Sequence, residues 1–339
     1  MKKIWFIMDR ICGKRLAPTL KELIPILESH QEIELDTTAK EKLLTISAAT
    51  IDRLLAPERK KQSLCTRSRT KPGTLLKHQI PIRTFSERNE HKPGFVEIDL
   101  VGHEGGEARG DYIQTLDITD VCTGWTETQA VKNKAQVWVF EALKQIRRHL
   151  PFELLGIDSD NGSEFINANL YRYCHNEQIA FTRARAYRKN DNCYVEQKNY
   201  SVVRRAVGYL RYDTQQDLNI LNQLYGYLRF YTNYFQPVMK LVEKKRIGSK
   251  VKKRYDKPQT PYQRVLASPY VADENKEALR KEYAQLNPEE FKRQITRLQN
   301  RLKKLATMRQ RLKRKELNQD KENGKSFKDF EYIFREATN

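Results

Sequence analysis

Three carboxylates stand in contexts and at spacings suited to phosphodiester chemistry. Asp99 lies in Glu97-Ile98-Asp99-Leu100. Asp160 lies in Asp158-Ser159-Asp160-Asn161-Gly162-Ser163-Glu164-Phe165, and Glu196 in Asn192-Cys193-Tyr194-Val195-Glu196-Gln197-Lys198-Asn199. Between Asp160 and Glu196 lie 35 residues. An in-line displacement at a phosphodiester asks little covalent chemistry of a protein. Two Mg²⁺ ions about 3.5–4 Å apart can activate the attacking oxygen and stabilise the leaving one. Mg²⁺ is a hard cation that takes carboxylate oxygens and water. One carboxylate bridging both ions, with one more for each, is the smallest such clamp. Asn161-Gly162 forms a tight turn that lets Asp160 face the end of the first strand. Neighbouring groups have blander readings. Asp158 is the rival ligand, two residues earlier on the same strand face. Asp117 and Asp120 read as strand-end and turn acids, His103 as an exposed loop histidine, and Glu164 as a helix N-terminal carboxylate.

The elements that must hold these groups follow from periodicity. Phe95–Val101, Tyr112–Ile118 and Gly124–Val131 read as three successive strands, with a Gly-rich turn over 102–110. Ala135–Leu150 carries a helical face through Val139, Leu143 and Ile146. Glu153–Asp158 reads as a buried strand, Phe165–Cys174 as a helix and Ile179–Thr182 as a last strand. Long helices are expected from about Cys193 to Tyr212 and from Gln215 to Phe235. The fold class is therefore α/β, a mixed sheet with helices on its faces.

The composition names the partner. The chain has 339 residues, 63 Lys and Arg against 43 Asp and Glu, and a net charge of +20. That balance excludes an ordinary neutral metabolic enzyme as the default and favours a polyanion, nucleic acid before an anionic membrane surface. No apolar run reaches the roughly 18 residues a bilayer span needs, so no membrane partner is expected. The N-terminus lacks the features of a secretory signal. Five scattered cysteines with no Cys-x-x-Cys pair argue for free thiols in a reducing compartment and against a zinc finger.

Flanking regions complete the division. Residues 1–62 read as helical. Thr38–Leu44 is followed by Ala48–Leu55, N-capped by Ser47, an arrangement resembling a helix-turn-helix whose second helix enters the major groove. This region starts abruptly in a helical pattern, as if an upstream part were missing. Residues 63–92 form a basic linker. The core spans 93–236, a basic segment 237–270 and a helical tail 271–339. Residues 244–257 hold eight cations and one acid. In the tail, Phe291, Ile295, Leu298, Leu302, Leu305 and Leu312 fit heptad spacing, interrupted by Arg309. That stripe either self-associates or packs on its own chain.

The Asp, the Asp-Asn-Gly-Ser-Glu-Phe string, the 35-residue gap and the Glu together resemble the catalytic core of the retroviral-type integrase superfamily, the DDE transposases of insertion sequences. The likeness covers residues 93–236. It implies an RNase H-like, five-stranded mixed sheet with helices on both faces, and Asp99, Asp160 and Glu196 as ligands of two Mg²⁺ ions, with Mn²⁺ a substitute. It implies metal-dependent DNA cleavage and strand transfer on double-stranded element ends and target DNA, by a homo-oligomer, in the bacterial cytoplasm at the nucleoid. No nucleotide cofactor is expected, since no Walker loop is present. The loop before the last motif matches one that lies close to DNA in this family. There Arg188 and Lys189 are expected on phosphates and Tyr187 on a base. Lys198, Arg204, Arg205 and Arg211 would continue the positive track. Lys244, Lys245, Arg246, Lys252, Lys253 and Arg254 would form a second, salt-sensitive DNA surface. Two departures stand out. Tyr200 or Val203 occupies the helix face where retroviral integrases carry a lysine, and no His/Cys zinc module precedes the core. The latter points to the bacterial branch. Rival readings are a nuclease or junction resolvase on the same fold, without strand transfer, and an inactive transposase-derived DNA-binding protein.

Overall fold

In a computed structural model, the structure describes residues 1–60, 91–107, 109–160, 162–184, 192–247 and 249–336. Four helices come first: α1 (Lys2–Ile7), α2 (Gly13–Ser29), α3 (Thr37–Thr45) and α4 (Ala48–Lys60). Their apolar faces close on one another through Trp5, Leu16, Leu20, Ile24, Leu27, Ile51 and Leu55. The Ser47 hydroxyl accepts from the Thr50 amide, the expected N-cap of α4. Helix α4 runs past Leu55 and through Pro57 to Lys60, farther than its apolar stripe predicts.

The centre is one five-stranded sheet: β1 (Phe95–Gly102), β2 (Gln114–Asp120), β3 (Thr126–Val131), β4 (Gly156–Ser159) and β5 (Ala180–Arg183). Its order is β3-β2-β1-β4-β5, with β2 antiparallel to β1 and β3, and β4 parallel to β1 and β5. This is the RNase H-like order that the resemblance implies. Helix α5 (Gln136–Arg147) joins β3 to β4, and α6 (Ala168–Asn176), capped by Asn167, joins β4 to β5. Both cover one sheet face: Val96, Ile98, Leu116, Ile118, Ile157 and Phe181 pack against Val139, Leu143, Ile146 and Leu170.

The other face carries α7 (Cys193–Lys198), which passes into a π-helical turn (Asn199–Arg204) and a last short turn, α8 (Arg205–Val207). The continuous helix expected to Tyr212 ends here because Gly208, at φ 70°, reverses the chain in a region side-chain-bearing residues avoid. Helix α9 (Gln215–Phe230) follows, closed by a capping box between Thr214 and Asp217 and extended by a π-helical turn, Tyr231–Phe235.

An antiparallel ribbon comes next, β6 (Leu241–Ile247) paired with β7 (Lys250–Tyr255). Neither periodicity nor composition had marked strands in this basic segment. Helices α10 (Pro261–Ala267) and α11 (Asp273–Tyr283) lead to α12 (Pro288–Glu336). The heptad stripe of α12 packs on its own chain as far as Leu305, with Ile295, Leu298 and Leu302 buried against Ile220, Leu221 and Leu224 of α9, whereas Leu312 is exposed. The interrupting Arg309 reaches the buried Asp217 carboxylate at 2.5 Å. Among the described residues, no helix is long and apolar enough to cross a membrane.

Candidate active site

The register of the sheet assembles the acids. Ile98 pairs with Ser159, so Asp99 and Asp160 lie side by side one step beyond, at the point where β4 ends. Because side chains alternate along a strand, Glu97 and Asp99 share one face, with Asp158 beside Glu97 and Asp117 across from Asp99. The Asp160 carboxylate bends back to accept from the Gly162 amide at 2.8 Å. A Cβ on Gly162 would fall 2.9 Å from the Asp160 carboxylate and 2.6 Å from that of Glu164, so a larger residue there would displace both side chains.

Helix α7 brings the third acid. Its N-cap residue, Asn192, makes no side-chain cap. The buried Glu97 carboxylate does this work from β1, accepting from the Tyr194 and Val195 amides at 2.9 Å each. A carboxylate on the open N–H groups of a first turn satisfies orphan donors and faces the positive end of the helix. Three residues after Glu196, the Asn199 amide donates to Asp99 at 2.6 Å, and the Leu100 amide donates to the other oxygen at 2.8 Å. Two links thus tie the helix of Glu196 to the strand of Asp99. The π-helical turn begins at Asn199, and such widened turns cluster at functional sites.

Electrostatics mark the same spot. Burial raises the Asp99 carboxyl to about 7, with the nearby charges of Asp160 and, more weakly, Glu196 pushing the same way against two hydrogen bonds. Asp160 is also raised, by burial and then by Glu164, against the Gly162 hydrogen bond. Crowded carboxylates of this kind favour either a shared proton or a cation. The donor set is all oxygen, the chemistry of a hard divalent ion, so Asp99, Asp160 and Glu196 fit that group. Among the described residues, no three His, Cys, Asp or Glu side chains are drawn together tightly enough to hold an ion as they stand.

Other sequence expectations fare differently. Tyr187, Arg188, Lys189 and Asn161 lie outside the described residues, as does most of the 63–92 linker. Lys198 does not extend a surface track: it is 8% exposed and turned inward. Arg204 is fastened to the Gly102 and Gly208 carbonyls and lies over the Tyr209 ring. Arg205 pairs with Asp9 at 2.6 Å. Arg211 sits beyond the helix and ties the Gly-rich loop shut through the Glu107, Arg109 and Asp111 carbonyls. His103 is buried rather than exposed, hydrogen-bonded to Thr115, and held down at about 3 by burial and Arg204. Asp117 is mid-strand and wholly buried, not a strand-end acid. Asp120 does stand at a turn, accepting from Gly94 and Thr123. Asp158 is engaged by the Thr182 hydroxyl at 2.7 Å. Glu164 precedes α6, whose cap is Asn167. The role of Glu97 escaped sequence reading, although its place two residues before Asp99 on a strand set it on the site's face.

Lys245, Lys252, Lys253 and Arg254 of the ribbon are exposed, and Lys244 and Lys245 sit opposite Lys253 and Lys252. Like charges directly across a ladder repel. Glu243 answers Lys245 and Arg254, at 2.6 and 3.1 Å.

Fold and site together define a mixed α/β domain with an acidic centre at a strand end. No family model matches the chain. It is 44% identical over 261 residues, 77% of its length, to the uncharacterized protein y4rM of Sinorhizobium fredii (strain NBRC 101917 / NGR234), of which it covers 75%. The chain belongs to the family of y4rM. Solved structures similar to it include integrases. The catalytic core domain of BIV integrase has 16% identity and TM-score 0.34, over 50% of this chain and 91% of that one. The HTLV-2 integrase core in complex with magnesium has 14% identity and TM-score 0.33, over 43% and 91%. A simian T-cell lymphotropic virus intasome, in complex with PP2A regulatory subunit B56 gamma, has 14% identity and TM-score 0.38, over 70% and 73%. With scores this low, the chemistry of the site is read from its own residues.

Proposed function

We propose that this protein is a DDE transposase of the bacterial insertion-sequence type, cutting and joining DNA at the ends of a mobile element. The observation that carries this reading is the register that sets Asp99 of β1 beside Asp160 where β4 ends, with burial first and then the charges of Asp160 and Glu196 raising the Asp99 carboxyl to about 7. Asp99, Asp160 and Glu196 are the residues that would hold Mg²⁺. The bound ion supplies positive charge to the reacting phosphodiester and acidifies the attacking hydroxyl. The chain's own contribution is alignment. Glu97 and Asn199 fix α7 against β1, and the Gly162 turn fixes Asp160. Water would attack first, freeing a 3′-hydroxyl, which would then attack target DNA at the same centre. The β6–β7 ribbon is assigned to the phosphate backbone, and α4 with the helices before it to the element end. Joining two ends to one target calls for a multimer.

The test is a joining assay with a pre-nicked terminal repeat, taken from the DNA flanking the gene, and a plasmid target. Joined product with Mg²⁺, and none with a chelator or with Asp160→Asn, supports the reading. Cleavage without joining would replace it with a nuclease on the same fold.

A further inference from the structure

Beside α7 and the π-helical turn that follows it lies a cavity of about 640 Å³ that the proposed chemistry leaves unused. Its walls come from distant parts of the chain: Asp9 and Arg15 near the N-terminus, Tyr200 in the π-helical turn, Tyr231 at the end of α9, Tyr255 in the ribbon and Lys292 in α12. Small-molecule sites commonly measure about 300–1,000 Å³, a size that admits one nucleotide and excludes a duplex.

The lining is unbalanced in charge. Four cations, Arg15, Lys198, Arg205 and Lys292, stand against one carboxylate, Asp9. Asp9 is shared between Arg205 at 2.6 Å and Lys292 at 2.7 Å. Arg15 pairs with no carboxylate among the described residues. Its Nε donates to the Pro237 carbonyl at 2.6 Å, which fixes the guanidinium in the wall. Surplus positive charge calls for an anion, and a fixed guanidinium fork matches phosphate. The same cavity offers aromatic surface. Tyr200 is 62% exposed and Tyr255 44% exposed, and exposed rings beside cations are stacking platforms for unpaired bases. Tyr200 directly follows Asn199, which hydrogen-bonds Asp99, so the cavity and the acidic centre flank one helical turn.

We propose that this cavity binds one unpaired nucleotide, with its phosphate on Arg15 and its base on Tyr200. A free nucleotide and the frayed end of a DNA strand present the same chemistry. A strand end is the source that fits an acidic centre joining DNA a turn away, and for its source alone the proposal rests on that reading.

The experiment uses the full chain in EDTA, so that the acidic centre takes no part. Fluorescence anisotropy follows two labelled duplexes of one sequence, one blunt and one ending in a short unpaired tail. Calorimetry follows deoxyadenosine monophosphate. We expect the tailed duplex to bind about tenfold more tightly than the blunt one, the gain of one stacked base. Tyr200→Ala and Arg15→Gln should each remove that gain and leave the affinity for the blunt duplex close to wild type. Tyr200→Phe, which keeps the ring, should keep the gain. Because Tyr200 is exposed, the melting temperature of Tyr200→Ala should stay that of the wild type. A tail gain that disappears in Tyr200→Ala assigns the cavity to strand ends. No tail gain, with deoxyadenosine monophosphate bound by the wild type and not by Tyr200→Ala, assigns it to free nucleotides. Neither tail gain nor mononucleotide binding, or a Tyr200→Ala variant that keeps the gain or weakens both duplexes equally, would overturn the proposal. Failure of the DNA-joining reading looks different: neither duplex binds, while the mononucleotide still binds through Tyr200.

Discussion

On one face of the central sheet, Ile98, Leu116, Ile118 and Ile157 meet α5 and α6 in a packed apolar layer. On the other, one residue along the same strands, Glu97, Asp99, Asp117 and Asp158 stand in adjacent register. Both sets are supplied by one alternation of period two, so a slip of a single residue would exchange them. The apolar face secures that register, and the acidic face could not. Its carboxylates repel one another, and helix amides, Asn199 and Thr182 hydrogen-bond Glu97, Asp99 and Asp158. Packing on one side therefore holds together charges on the other.

The comparison breaks most visibly at the acids. Asp160→Asn should reduce joined product to background while DNA binding, by gel shift, stays close to wild type. Equal loss of both would contradict a role confined to the chemistry. On the apolar face the opposite pattern is expected. Leu116→Ala should lower stability by about 2–5 kcal/mol in chemical denaturation, through lost burial and an unfilled cavity. A smaller cost would mean that the register is secured elsewhere.

Outside the sheet, exchanging Lys245, Lys252, Lys253 and Arg254 for Ala should weaken DNA affinity. The plot of log affinity against log salt should become shallower by about 3–4 units if all four meet phosphates. An unchanged slope would detach the ribbon from DNA. The smallest effect is on pH dependence without divalent cations. Asp99 titrates near 7 in the folded chain, above its ordinary value of 3.8. The folded state therefore holds a proton that the unfolded state has released. The stability this gives is complete below about pH 4 and is lost as pH rises through 7. Asp99→Asn should flatten that decline in melting temperature, and a parallel decline in both proteins would assign it to other groups.

Much of the site was legible because its signals are local. Asp160 and Glu196 lie in short strings whose residue types announce a tight turn and a helix start, and the alternation around Ile98 and Ile157 places the strands, although Asp99, expected at the end of the first strand, lies inside β1, which runs on to Gly102. What was not legible depends on partners distant in sequence. Lys198 reads as one more surface cation until the packing of α7 on the sheet turns it inward, 8% exposed. Arg211 reads likewise until the Gly-rich loop closes on it. His103 reads as a loop residue until Thr115 and Tyr225 enclose it. The heptads of α12 fit a coiled coil and a packed helix equally, and α9 decides between them. The ribbon's cations hide its alternation, since both of its faces are polar.

The central claim is that Asp99, Asp160 and Glu196 hold divalent cations for DNA strand transfer. Anomalous diffraction from crystals of the full chain with a DNA end and Mn²⁺ tests it most directly. The account predicts Mn²⁺ peaks bonded to oxygens of all three residues, and their loss in Asp160→Asn. Mn²⁺ bound elsewhere, with Glu196 turned away from Asp99, would contradict it.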